Sequence, residues 1–543
     1  GTGTHSGEKE NRYMRLMNRI IKPGVRTKVL MLSATPVNNR FYDLRNQLAL
    51  AYEGKPEEIN EKLDTKSDID TIFRRAQKVY NAWCKLPETE RTTKNLLAQL
   101  DFDFFEVLDA VTIARSRHHI QRDYDTKDIG NFPIRNKPIS LYPKLTDKKD
   151  AINYKEVYEC LSELRLTIYT PTQYILPSKM KQYLSEEETE NFRKGREAGI
   201  QRLMSINLLK RMESSVHSFL LTVQKVYQYL KDTDQVIDSF IKNGAGSLKE
   251  MTDLSGASGE FDEDDQNTDF FSVGKKLQIN LKDMDYISWQ RDIEADMETL
   301  SLLISMVKDI TPEYDYKLNQ LFKVIREKEA NPINPGNRKI LIFTAFADTA
   351  EYLYENLAPK AKKLGLHTAL VTGSIEGRTT IPDFKPEMNH VLSCFSPISK
   401  DRDLLYPQDK NHNIDILIGT DCISEGQNLQ DCDYCINYDI HWNPVRIIQR
   451  FGRIDRIGSR NKKIQLVNFW PDLTLDEYIN LKARVETRMR ISVMTSTGDD
   501  DLINQDEKGD LQYRKEQLKK LQEEVVDLED MTSGISITDL GLN

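Results

Sequence analysis

Short apolar runs alternate with stretches whose apolar residues recur every three or four positions, and this happens in two parts of the chain. In the first, Val29, Leu30, Met31 and Leu32 make a brief run that reads as a buried strand. Ser33, Ala34, Thr35 and Pro36 follow at once, then a helix-compatible segment over 40–52. In the second, residues 339–470 hold five such runs: KILIF at 339, TALVT at 368, DILIG at 415, DYCINY at 433 and KIQLVNFW at 463. Helical spacing over 348–364, and a segment over 444–451 that opens on Pro444, separate several of them. Strands that are apolar on both faces and alternate with helices predict a parallel, helix-covered α/β sheet.

The intervening region, 53–335, is mainly helical by pattern, with its clearest periodicity over 202–230 and 293–308. It is too long for a loop. Residues 243–270 are poor in large apolar groups and rich in Gly, Ser and acid, which reads as a mobile linker. Beyond 471 the pattern is helical again, and Leu518, Leu521, Val525 and Leu528 form a seam suited to packing on the parent domain. The expected divisions are therefore 1–52, 53–335, 336–470 and 471–543.

Composition narrows the function classes. With 543 residues, 39% hydrophobic and 30% charged, the chain has the make-up of a core-forming protein of several domains. No run approaches the length of a membrane span, and the first residues lack the basic-then-apolar order of a secretory signal, so a cytoplasmic protein with no membrane partner is expected. A net charge of −9 supplies no global basic field, so any nucleic-acid binding must be local. Six cysteines suit a reducing compartment. Cys432 and Cys435 form a CxxC with no second half beside an apolar run, which reads as buried strand, and no metal-ligating set is assigned. The chain opens on Gly1 and stops directly after a patterned stretch, as expected of a piece of a longer protein.

Three segments carry candidate chemistry. QRFGRIDRIG (449–458) places Arg450, Arg453 and Arg456 three apart, so on a helix they would share one side. With Arg446, Arg460, Lys462 and Lys463 they make seven cations in 18 residues against one acid, Asp455. Guanidinium groups clustered at the edge of an α/β sheet suit phosphate, although a solvated basic face is the plain alternative. DILIGTDCISEGQNLQ (415–430) ends an apolar strand in Thr420 and a polar, Gly-containing turn, the position where open α/β sheets bind ligands. LSATPVNN (32–39) again puts hydroxyls after a strand.

Their joint order and spacing resembles the superfamily-two helicase and translocase engine, within it the Swi/Snf-related branch, and there the bacterial RapA-like group. SATPVNN looks like motif III, ILIFTAF (340–346) like motif IV, TDCISEGQNLQ like motif V and QRFGRIDRIG like motif VI. LLKRMESS (208–215) resembles helical insertions of related bacterial proteins. The resemblance implies a RecA-like second lobe at 336–470, the end of a first lobe at 1–52, a helical insertion between them and C-terminal helices.

It also implies roles. Arg453 and Arg456 would be catalytic arginine fingers reaching the γ-phosphate of ATP, with Gln449 and Gly426 also at the nucleotide. Thr420 and Ser424 would bond nucleic-acid phosphates, Thr372 and Gly373 would touch the same backbone, and Ser33 and Thr35, counted with them, would couple the lobes.

The departure from the pattern is large. No GxxxxGK[ST] is present; GSIEGRTT (373–380) has too short a spacing and Arg for Lys, and no acidic motif follows an apolar strand. In the family both lie before motif III, so ATP and Mg²⁺ would be held mainly by a first lobe. This chain alone is expected not to hydrolyse ATP. The expected parent is an ATP-dependent translocase, on duplex DNA, with a possible protein partner for the helical regions. Two other classes fit the residues: a non-catalytic interaction module, and a motor within a restriction or phage-defence system. His118, His119 and His441 read as surface or packing residues.

Overall fold

The computed structural model describes residues 12–23, 30–31, 41–52, 55–61, 65–84, 100–101, 103–104, 107, 125, 130–149, 151–183, 197, 201, 204–205, 207–243, 279–424, 426–441 and 444–471. Ser33, Thr35, the expected linker beyond Asn243, the leucine seam and the rest of 472–543 lie outside these residues. The described residues fall into two compact units, one holding those up to 131 together with 444–448, the other those of 132–441 and 449–471.

In the first unit, helix α1 (Phe41–Ala51) and helix α2 (Ile69–Cys84) pack around buried Phe41, Phe73 and Phe104, whose rings meet edge to face at 4.7 and 5.7 Å. Arg45 bonds Asp70 across the pair at 2.6 Å. The strand expected at 29–32 does not form at the two positions described. Leu30 and Met31 are irregular and exposed, since a run of four apolar residues gains strand structure only from a neighbouring strand, and none of the described strands pairs with it.

The second unit is built on one sheet. Its strands are β1 (Ile134–Arg135), β2 (Ile139–Leu141), β3 (Ile340–Phe343), β4 (Thr368–Val371), β5 (Arg378–Thr379), β6 (Ile416–Gly419), β7 (Tyr434–Asn437) and β8 (Lys463–Phe469). They run in the order β1-β8-β7-β3-β6-β4-β5, with β2 also on β8, and all pair parallel except β5. The five strands expected from apolar runs are β3, β4, β6, β7 and β8. β3, β4, β6 and β7 are buried at every residue, as strands covered on both faces must be.

Helices α3 (Tyr154–Glu163), α4 (Val216–Asn243) and α5 (Tyr286–Lys308) form a bundle, and α6 (Tyr316–Ala330), α7 (Ala347–Lys363) and α8 (Met388–Phe395) belong to the lobe. Leu318, Leu321 and Ile325 of α6 join Leu353 and Leu357 of α7 in one core with Ile340, Ile416 and Val467 of the sheet. The stretch 53–335 thus contributes two strands and one lobe helix besides the bundle. The strands escaped the periodicity because two or three residues are too few to show a pattern. Helix α9 (Pro444–Phe451) opens on Pro444 and precedes β8.

Candidate functional site

Parallel strands end together, and the residues just past β3, β4, β6 and β7 gather along one edge of the sheet. Thr344 follows β3 and its N–H donates to the Gly419 carbonyl at 3.1 Å. Thr372 follows β4; its hydroxyl accepts the Ile375 N–H at 2.9 Å, closing the turn that carries Gly373. A Cβ on Gly373 would lie 3.8 Å from Cys422, in ordinary van der Waals contact, so the β4 and β6 turns are neighbours. After β6, Thr420 is buried and begins a turn over Asp421–Ile423. Ser424 is buried too, its hydroxyl donating to the Asp421 carbonyl at 2.7 Å. Gly426 adopts φ +69°, a left-handed conformation that favours glycine, with nothing within 4 Å of a Cβ.

The three arginines of QRFGRIDRIG do not share a helix face. Helix α9 ends at Phe451, and Gly452 opens the turns that carry Arg453 and Arg456. Arg450 points inward, fully buried, donating at 2.7 Å from Nε and from Nη2 to the two carboxylate oxygens of Asp421. It also reaches the Asn437 side chain and the Asp439 carbonyl at 3.3 and 3.2 Å. Burial alone would depress its guanidinium, but the charge and hydrogen bonds of Asp421 hold it above the ordinary range. Nor is Asp455 simply a lone acid among cations, since it pairs with Arg135 of β1 at 2.6 Å.

Arg453 and Arg456 instead grip the turn that follows β6. Arg453 donates to the carbonyls of Gln449 and Gln427 at 2.9 and 3.0 Å, and its own carbonyl accepts the Leu429 N–H at 3.1 Å. Arg456 donates to the Gly452 carbonyl at 3.1 Å and to the Asn428 side chain. Desolvation lowers the Arg456 guanidinium, and no carboxylate among the described residues pairs with it. The structure therefore brings Gly426, Gln449, Arg453 and Arg456 together around Gln427 and Asn428, and Thr372, Gly373, Thr420 and Ser424 along the adjoining strand ends.

A second, buried polar cluster adjoins this edge. Asp439, two residues past β7, accepts the Ser214 hydroxyl at 2.6 Å, the Ala345 N–H at 2.8 Å and the Thr344 hydroxyl. Thr349 of α7 bonds the hydroxyls of Ser214 and Ser215 at 2.8 and 2.9 Å. Arg211 bonds Asp348 and lies 4.5 Å over the Phe346 ring. Lys317 donates to the Glu213 and Ser214 carbonyls and stands 3.5 Å from the Glu213 carboxylate and 4.6 Å over the Tyr438 ring. Burial pushes the Glu213 carboxyl up to about 8; Lys317 opposes the shift and Asp439 adds to it. LLKRMESS thus joins the bundle to the lobe through hydroxyls and charges that the sequence had marked only by likeness. Asp421, Asp439 and Lys317 carried no advance signal, because each partner is remote in sequence.

Residues 317–458 match the family model of the helicase conserved C-terminal domain. The helicase match takes in β3 to β7, the arginine turns and α6. The chain is 44% identical over 66 residues to the uncharacterized ATP-dependent helicase YqhH of Bacillus subtilis, covering 12% of each chain. It is 35% identical over 72 residues to the RNA polymerase-associated protein RapA of Pectobacterium carotovorum, covering 13% of this chain and 7% of that one. The matched stretches are thus a small part of the length of both relatives. The crystal structure of the C-terminal part of the Fun30 ATPase domain aligns over 65% of this chain and 90% of its own at 14% identity, with a TM-score of 0.27, too slight to carry an argument. Among the described residues no helix is long and apolar enough to cross a membrane.

Proposed function

We propose that this chain is the second-lobe half of an ATP-dependent translocase acting on nucleic acid, duplex DNA first among the candidates. The observation that carries the reading is the placement of Arg453 and Arg456 against Gln427 and Asn428, just beyond the carboxyl end of β6, where open α/β sheets take ligands. Guanidinium groups there suit the spread charge of a phosphoryl group in transfer. Arg450, locked to Asp421, holds the two turns in register and is not counted among the fingers. Gly426 leaves room for the nucleotide on its side of the turn.

ATP supplies the phosphoryl group, and its Mg²⁺ belongs with residues of a first lobe; among the described residues no cluster of three or more Asp, Glu, His and Cys is placed to hold a metal ion. Thr372, Gly373 and Thr420 line the neighbouring strand ends, suited to the sugar-phosphate backbone. The hydroxyl of Ser424 is already bonded to Asp421, so its contact with a phosphate would require that bond to open.

The test uses a protein with both lobes. Arg453→Ala and Arg456→Ala should each lower the ATP turnover number by about 10³-fold or more while leaving nucleic-acid affinity without nucleotide nearly unchanged. Full turnover in both variants would overturn the reading. The present chain alone should not turn ATP over.

A further inference from the structure

Lys400 lies outside the motifs that marked the site, yet the fold brings it there. Its turn follows α8 and is fixed on both sides. The Asp431 carboxylate accepts the N–H groups of Ile398 and Ser399 at 2.7 and 3.1 Å, and the hydroxyls of Ser396 and Ser399 meet at 2.6 Å. On the far side, buried Arg402 donates to the His412 carbonyl and the Asn413 side chain at 3.0 and 2.9 Å. So mounted, the Lys400 ammonium donates to the side-chain oxygen of Gln427 at 2.7 Å.

The same Gln427 takes Arg453 on its main-chain carbonyl, and the next residue, Asn428, takes Arg456. Three cations from two distant segments thus converge on two consecutive uncharged residues. Among the described residues no carboxylate pairs with Lys400 or Arg456, and burial alone lowers both. Half-buried cations without an opposing acid are costly, and an incoming anion removes that cost.

We propose that Lys400 is a third phosphate-binding cation of the nucleotide site, taking an oxygen of the polyphosphate chain beside Arg453 and Arg456. This rests on the reading that those two arginines face the nucleotide. An ammonium on a flexible stem can exchange the Gln427 oxygen for a phosphate oxygen while its mount stays still. Nucleic-acid phosphate is the other source of the same chemistry, and the experiment separates the two.

In the protein carrying both lobes, Lys400→Ala, Lys400→Gln and Lys400→Arg are compared with Arg453→Ala and Arg456→Ala. The readouts are kcat and KM for ATP at saturating nucleic acid, affinity for duplex and single-stranded DNA and RNA without nucleotide, and melting temperature. The expected result is a fall of about tenfold or more in kcat/KM for Lys400→Ala and Lys400→Gln. Lys400→Arg should recover most of it, and nucleic-acid affinity should stay within about twofold. Lys400→Gln removes the charge but can still donate to Gln427, so its loss at an unchanged melting temperature separates phosphate binding from folding. Unchanged kcat/KM in Lys400→Gln, with turnover abolished in both arginine variants, overturns this proposal alone. A loss confined to nucleic-acid affinity overturns it in favour of the backbone. Intact turnover in the arginine variants removes the reading on which it rests.

Discussion

Arg450 holds Asp421 with two hydrogen bonds of 2.7 Å, and the guanidinium is wholly buried while 14% of the aspartate side chain is exposed. The residues stand 29 apart in sequence, one just past β6 and the other at the end of α9. Removing one partner strands a buried charge.

Asp421→Ala and Arg450→Ala should therefore each destabilise the chain by roughly 3–5 kcal/mol. Arg450→Lys should recover little, since an ammonium cannot make the paired contact. Urea unfolding of the three variants measures this, and a loss below about 1 kcal/mol for Asp421→Ala would show that Arg450 finds another partner or water.

Glu213 gives a signed pH dependence. Its carboxyl titrates near 8 in the fold against an ordinary 4.5, so between those values the folded chain keeps a proton that the unfolded chain has released. Stability from this group is complete below about 4.5, falls as pH rises towards 8, and is flat above. Glu213→Gln should flatten that slope and raise stability at pH 8 by a few kcal/mol, with little change at pH 4.5. Lys317 keeps the Glu213 and Ser214 carbonyls in the variant. Thermal unfolding of both proteins across that pH range is the measurement, and parallel pH profiles would sink the assignment.

Three glycines should rank by what a methyl group meets. Gly373→Ala finds its nearest atom at 3.8 Å and should be nearly neutral. Gly426→Ala meets nothing but must hold φ +69°, at about 1–2 kcal/mol. Gly419→Ala would press Ile423 at 2.6 Å and the Val371 carbonyl at 3.1 Å, and should cost about 1–3 kcal/mol. Denaturant midpoints test the order, and a destabilised Gly373→Ala would contradict it.

Much of the lobe could be read from the chain because its strands are buried on both faces, and continuous runs such as ILIF and ILIG have few other uses. β1 and β2 were not legible, being two and three residues long and partly exposed on the sheet edge. The arginine-rich segment was found by spacing, yet spacing alone put Arg450 on the same face as Arg453 and Arg456. A buried arginine is defined by its acid, and that acid lay beyond any helical window. The same limit hid Asp439 and Ser214, which are 225 residues apart and meet only once the bundle is docked. Lys400 shows it again, with no pattern to distinguish it from other surface lysines until Gln427 is placed beside it.

The Ser214–Asp439 contact fixes the root of α4, which begins two residues later and runs for 28 residues, about 42 Å. With Arg211, Lys317 and Thr349 bonded across the same joint, that rod is welded to the sheet at one end and braced by α5 along its length. Any swivel of the sheet would be magnified at the distal tip of the rod, so a small angular change at the joint becomes a long sweep at the far end.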